Sequence, residues 1–189
     1  MITKIALGGS CHWCSEAIFR SLKGVVEVEQ GWLSAGAAPA GSPTCYDASR
    51  YGEDDFCEGV VVHFDPEQIA LATLVEIHLH SHGSTLEQGV GRRYRSAVYA
   101  YDAPQLAAVT DIIAKLQNGF DAPLQTRALG FGEFRLSRES IRDYYYADPD
   151  KPFCRVRIQP RLMRLLQQFG EHLDGERKAQ ILAAARTPE

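Results

Sequence analysis

Residues 2–22 read ITKIALGGSCHWCSEAIFRSL, and this stretch decides how the rest of the chain is read. Ile2 to Leu7 has the apolar content of a short strand, and Gly8-Gly9 ends it. From Ser15 the spacing changes, with Ala17, Ile18 and Leu22 on one helical face and Gly24 as a stop. A strand turning into a helix within a few residues places Cys11 at the turn. The first N–H groups of a helix lack internal partners and the macrodipole is positive there. Both predict a thiol that ionises readily. The glycines before it permit a sharp turn and a close approach to the backbone. Three readings of Cys11 stand side by side: a buried core cysteine beside Trp13, one half of a redox-active Cys-x-x-Cys pair with Cys14, and half of a zinc site. No second Cys-x-x-Cys or paired-histidine spacing is present to complete four zinc ligands.

Outward from this turn, Val25 to Leu33 alternates as a strand, and residues 35–55, rich in Gly, Pro, Ser, Ala and Asp, form a long loop. Glu58 to Phe64 carries Val60, Val61 and Val62 and reads as a buried strand. Asp65-Pro66 opens a helix that runs from Ile69 to His80, and His82 to Arg93 is a polar loop. Ser96 to Tyr101 is a strand, Pro104 to Gln117 a helix, and Thr126 to Arg135 one further strand. Ser137 to Tyr146 is helical, 149–157 is irregular, and helices at 161–170 and 175–186 close the chain. This order predicts α+β: a single domain over 1–189, a ferredoxin-like α/β sandwich with a mixed sheet. Residues 158–189 are a C-terminal helical extension of the same domain.

The 189 residues suffice for a sizeable core. Net charge is −4, and no basic run or RNA-binding signature points to nucleic acid. No apolar stretch approaches the roughly 20 residues of a membrane helix, and MITKIALGGS does not read as a signal peptide. The five cysteines, Cys11, Cys14, Cys45, Cys57 and Cys154, are odd in number. They fit reduced thiols in a cytoplasmic enzyme better than a disulfide-stapled secreted fold.

The stretch Gly9-Ser10-Cys11-His12-Trp13-Cys14-Ser15-Glu16 resembles the Gly-Cys-Phe-Trp-x-x-Glu signature of the methionine sulfoxide reductase A family. Pro43-Thr44-Cys45-Tyr46 resembles the family's Asn-Pro-Thr-Tyr, and Cys57-Glu58-Gly59-Val60-Val61 falls where it has Gly-His-Ala-Glu before a strand. Gly91-Arg92-Arg93-Tyr94-Arg95-Ser96 resembles Gly-x-Gln-Tyr-Arg-Ser, and Lys151-Pro152-Phe153-Cys154-Arg155 the late Tyr-Cys region. The resemblance implies a reductase, specific for the S epimer, that acts on methionine sulfoxide, free or in oxidised proteins. A thioredoxin-like dithiol would recycle it, with no metal or organic cofactor. It implies Cys11 as nucleophile, Glu58 as acid, Tyr46 and Tyr94 as holders of the sulfoxide oxygen, and His12 and Trp13 as the substrate's methyl pocket. A thiolate can take oxygen from sulfur only if that oxygen is protonated as it leaves, so such a site needs both acid and nucleophile. The resulting Cys11 sulfenic acid condenses with a second thiol. Cys154, in a segment read as irregular and mobile, is favoured for this over Cys14. Two other functions fit the residues: a thiol–disulfide oxidoreductase using Cys11 and Cys14, and a redox-sensing binding protein. The chain departs from the family pattern at Ser10, at His12 in place of Phe, at a missing Asp near Gln88-Gly89-Val90, and at Ser140-Ile141-Arg142-Asp143.

Overall fold

The alternation of β1 (Thr3–Gly8) sorts its side chains between two cores. Ile5 and Leu7 enter the larger one, and Ala6 enters a smaller cluster on the opposite face. The computed structural model describes residues 1–35, 56–86 and 92–186. Within it β3 (Cys57–Phe64) lies antiparallel to β1, with Leu7 opposite Val60 and Ile5 opposite Val62. On the other side of β3 runs β2 (Val25–Ser34), antiparallel, with Trp32 opposite Glu58. β4 (Ala97–Ala100), β5 (Arg127–Gly130) and β6 (Glu133–Leu136) complete a six-stranded sheet in the order β5-β4-β1-β3-β2-β6. Only β4–β5 is parallel among these pairs, so the sheet is mixed, as the sequence predicts.

The helices α1 (His12–Arg20), α2 (Leu71–Ser81), α3 (Ala103–Leu116), α5 (Gln159–Phe169) and α6 (Gly175–Ala184) all send side chains into the larger core. Ile18, Leu74, Val109, Leu162 and Ile181 meet Leu7, Val60, Val62 and Val98 there. Each fully buried Leu, Ile or Val contributes roughly 1.5–3 kcal/mol. No described helix is long and apolar enough to cross a membrane.

Three elements differ from the sequence reading. The single strand expected over 126–135 is two strands on opposite edges of the sheet. Phe131 N–H bonds Ala100 O (2.7 Å), and Gly132 N–H bonds Ser34 O (2.9 Å). The chain thus crosses from β4 to β2 and lays Phe131 and Phe134 over the smaller cluster of Ala6, Cys57, Val61 and Tyr99. The helix expected over 137–146 shrinks to α4 (Tyr144–Ala147), preceded by a short 3-10 turn at Glu139–Ile141. Between them Asp143 sits at φ 53°, in the left-handed region. The buried Glu16 carboxylate explains the break, since it accepts the N–H groups of Asp143 (2.8 Å) and Tyr144 (3.3 Å). Last, the irregular segment expected over 149–157 ends in a π-helical turn, Cys154–Ile158, that leads straight into α5. Pro160 is accommodated there in the first turn, where its missing N–H is not needed.

Candidate active site

Cys11 is the residue that caps α1, and its carbonyl accepts the N–H groups of Cys14 (3.0 Å) and Ser15 (3.1 Å). Gly9 lets the chain arrive there at φ 144°, with the His82 ring packed where a Cβ would stand. The next free N–H of the helix, that of His12, donates to Glu58 Oε2 at 2.9 Å. Glu58 reaches it from β3, with 1 % of its surface exposed. Its other oxygen accepts both Nε (2.6 Å) and Nη2 (2.5 Å) of Arg93. These partners all donate, which is the surrounding of a carboxylate. Cys11, Trp13, Glu58 and Tyr94 line one cavity of about 520 Å³, together with Arg157 and Arg161. A larger groove of about 700 Å³, lined by Arg20, Glu27, Arg142 and Glu176, borders no thiol.

The Cys11 and Cys14 sulfurs share a hydrogen bond, and this dominates their titration. It pushes Cys11 well up, reinforced by burial and by the charges of Cys14 and Glu58. The same bond lowers Cys14 against its burial, with help from Arg161 and Arg157. The helix start is therefore not the sole influence on the Cys11 thiol, since Cys14, burial and Glu58 act against it. One N–H, that of Trp13, does favour the Cys11 thiolate, but the His12 N–H is occupied by Glu58, whose charge opposes it.

The aromatic side of the cavity is built from separate elements. Trp13 stacks on Tyr144 with ring centres 4.0 Å apart and meets Phe153 edge-on at 5.3 Å. His12 is buried, and its Nδ1 lies 3.2 Å from Gly31 O. A carbonyl only accepts, so Nδ1 carries a proton. Nε2 then faces Glu58 Oε2 at 3.9 Å. Burial lowers the His12 pKa, and Glu58 opposes that shift. Histidine therefore puts a polar wall where the resemblance has phenylalanine.

Of the other residues singled out in the sequence, Tyr46 and Cys45 lie outside the described residues. Cys57 points to the opposite face of the sheet, with Sγ 3.0 Å from the Tyr99 hydroxyl. Cys154 is fully buried in the larger core, and burial pushes its thiol up to about 11. Its helical turn and burial remove mobility as a reason to favour it as the recycling thiol. Sequence reasoning missed the grip of Arg93 on Glu58, the platform of Tyr144, and the presence of Arg157 and Arg161 in the cavity. The four-residue spacing of these last two, after Cys154, was the one available signal.

A dithiol at a helix start, facing a buried carboxylate across a cavity, has the make-up of a thiol-dependent oxidoreductase. The family model of peptide methionine sulfoxide reductase matches residues 3–173, and the chain belongs to that family. The enzyme named peptide methionine sulfoxide reductase MsrA from Trichodesmium erythraeum is 32% identical over 179 residues, covering 92% of this chain and 99% of its own. That from Thermus thermophilus is 33% identical over 167 residues, covering 86% and 93%. Among solved structures, methionine sulfoxide reductase A of Corynebacterium diphtheriae superposes with a TM-score of 0.65 at 25% identity, over 78% of this chain and 76% of that one. Reduced Mxr1 from Saccharomyces cerevisiae shares the fold at a TM-score of 0.69 and 21% identity, over 81% and 89%.

Proposed function

We propose that the protein reduces the S epimer of methionine sulfoxide, free or in oxidised proteins, with Cys11 as nucleophile. The observation that carries this reading is the convergence of Cys11, Glu58, Trp13 and Tyr94 on one cavity. The Cys11 thiolate attacks the sulfoxide sulfur while Glu58, having taken up a proton from solvent, delivers it to the oxygen. Tyr94, and Tyr46 by its place in Pro43-Thr44-Cys45-Tyr46, hold that oxygen. Trp13 and Phe153 cover the methyl group, with His12 beside them. Oxygen passes to Cys11 as a sulfenic acid, and the sulfide leaves. Cys14, already hydrogen-bonded to Cys11, displaces water from the sulfenic acid and forms the Cys11–Cys14 disulfide.

An external dithiol reduces this disulfide, and thioredoxin is the candidate. A structure described as Mxr1 from Saccharomyces cerevisiae in complex with Trx2 has the same fold, with a TM-score of 0.50 and 18% identity. No metal or organic cofactor enters this scheme. The test is turnover of a methyl sulfoxide with dithiothreitol. Wild type reduces the S epimer and Cys11→Ser does not. Wild-type rates in Cys11→Ser remove the thiol from the mechanism, and reduction of a disulfide substrate without any sulfoxide activity replaces the proposal by thiol–disulfide exchange.

A further inference from the structure

The lining of the thiol cavity carries more positive charge than sulfoxide reduction itself employs. Arg93 is committed to Glu58. Arg157 leaves the π-helical turn and Arg161 the first turn of α5, four residues on, so both side chains reach the same wall. Arg161 donates to the Ser10 hydroxyl beside Cys11. Neither has a carboxylate partner among the described residues. Their neighbour Arg155, by contrast, pairs with Asp150 at 2.9 Å. Thus a chain of net charge −4 builds three guanidinium groups and one carboxylate into the described wall of its thiol cavity.

We infer that Arg157 and Arg161 bind a carboxylate on the substrate, so that the preferred sulfoxide is an anionic one. Free methionine sulfoxide carries that group, and so does methionine sulfoxide as the last residue of a peptide. An internal residue of a protein does not. This inference rests on the sulfoxide reductase reading and names its substrate class. A guanidinium matches a carboxylate in shape and charge, and the cavity of about 520 Å³ has room for one amino acid beside the thiols. The two arginines also favour the Cys14 thiolate, which places them within electrostatic reach of the reacting sulfurs.

The experiment separates binding from turnover. In Cys11→Ser, calorimetry compares N-acetyl-methionine sulfoxide with its N-methylamide, in which a neutral amide replaces the carboxylate. We expect the acid to bind at least about tenfold more tightly, an advantage that shrinks as salt rises. Arg157→Met, at an exposed position, cuts the advantage severalfold, and Arg157→Met with Arg161→Met brings it within about twofold of unity. Equal affinity for acid and amide in Cys11→Ser overturns the inference. So does an advantage that survives the double substitution. Wild-type turnover of the same pair, of free methionine sulfoxide and of N-acetylalanyl-methionine sulfoxide keeps the two readings apart. If acid and amide are reduced equally well, the substrate class fails while the reductase stands. If no sulfoxide is reduced, the reductase fails, and the binding ratio still decides whether the arginines hold a carboxylate. Faster turnover of either acid substrate than of the amide supports the inference, and the better of the two identifies the source of the carboxylate.

Discussion

Gly9→Ala tests whether the approach to Cys11 is as tightly determined as the geometry indicates. Gly9 adopts φ 144°, where a side chain strains the backbone by about 1–3 kcal/mol. A Cβ there would stand 2.6 Å from Nε2 and 2.8 Å from Cδ2 of His82. The ring must retreat by about 0.8 Å to reach ordinary contact at 3.4 Å. It is held on both sides, with Nδ1 2.7 Å from His78 O and Nε2 2.6 Å from Ser96 Oγ, which itself lies 2.6 Å from Thr126 Oγ1. Losing one such bond costs about 1 kcal/mol, so the whole substitution should cost about 2–4 kcal/mol. Urea unfolding followed by circular dichroism should show the midpoint falling by about 1–2 M at unchanged slope. Because the strain lies two residues from the nucleophile, turnover of a methyl sulfoxide should fall about tenfold or more. Repeating the substitution in a His82→Ala background isolates the steric part. Gly9→Ala should then cost about 1 kcal/mol less, as a coupling between touching residues. A cost under about 0.5 kcal/mol with wild-type turnover would refute the reasoning.

The same geometry leads to three further outcomes. Glu58→Gln should slow sulfoxide reduction by a factor on the order of 10² in single-turnover assays, and a loss under threefold would leave Glu58 as a structural cap of α1. One equivalent of methyl sulfoxide without reductant should give a Cys11–Cys14 disulfide in peptide mapping, whereas a Cys11–Cys154 peptide would show that the core around Cys154 opens during turnover. Burial holds Glu16 above its ordinary 4.5, so the folded state resists its ionisation. Wild-type stability should therefore rise as pH falls from that raised value towards 4.5, and Glu16→Gln should lack this slope. Identical pH profiles for the two proteins in chemical denaturation would contradict it.

The legible part of the fold was the part governed by short-range periodicity. Ile5 and Leu7 against Ala6, or Val60 and Val62 against Val61, announce two faces because side chains alternate along a strand. What escaped depends on contacts between distant residues. Nothing between Thr126 and Arg135 reveals that its halves will find β4 and β2, because Ala100 and Ser34 decide it. Asp143 turns left-handed because a carboxylate 127 residues earlier takes its N–H. The site divides in the same way. Cys11 stood out through its place between strand and helix, and Glu58 through an ordered set of motifs. Arg93 stood in the sequence only as the neighbour of Tyr94 in Gly91-Arg92-Arg93-Tyr94, and only the fold lays it on Glu58.

The placement of Glu58 adds to the Cys14 hydrogen bond and to burial in holding a thiol at a helix start as a thiol. A helix terminus offers a limited number of free N–H groups. Here the His12 N–H goes to a carboxylate delivered by β3, and the Trp13 N–H is left for the Cys11 sulfur. With Glu58 charged, its field and that of Cys14 both oppose a Cys11 thiolate. A proton arriving on Glu58 removes one of those fields, and transfer of the proton from Cys11 to Cys14 across their shared hydrogen bond removes the other. The state with Glu58 protonated and Cys11 ionised is the one the proposed reaction requires, since it supplies acid and nucleophile together. Arg93, half of whose side chain is exposed, holds the same carboxyl group from the solvent side of the cavity. A substrate in the cavity brings its own polarised oxygen towards Glu58. In this scheme acid and nucleophile are coupled through one helix terminus, and the substrate's oxygen selects the reactive pairing of charges.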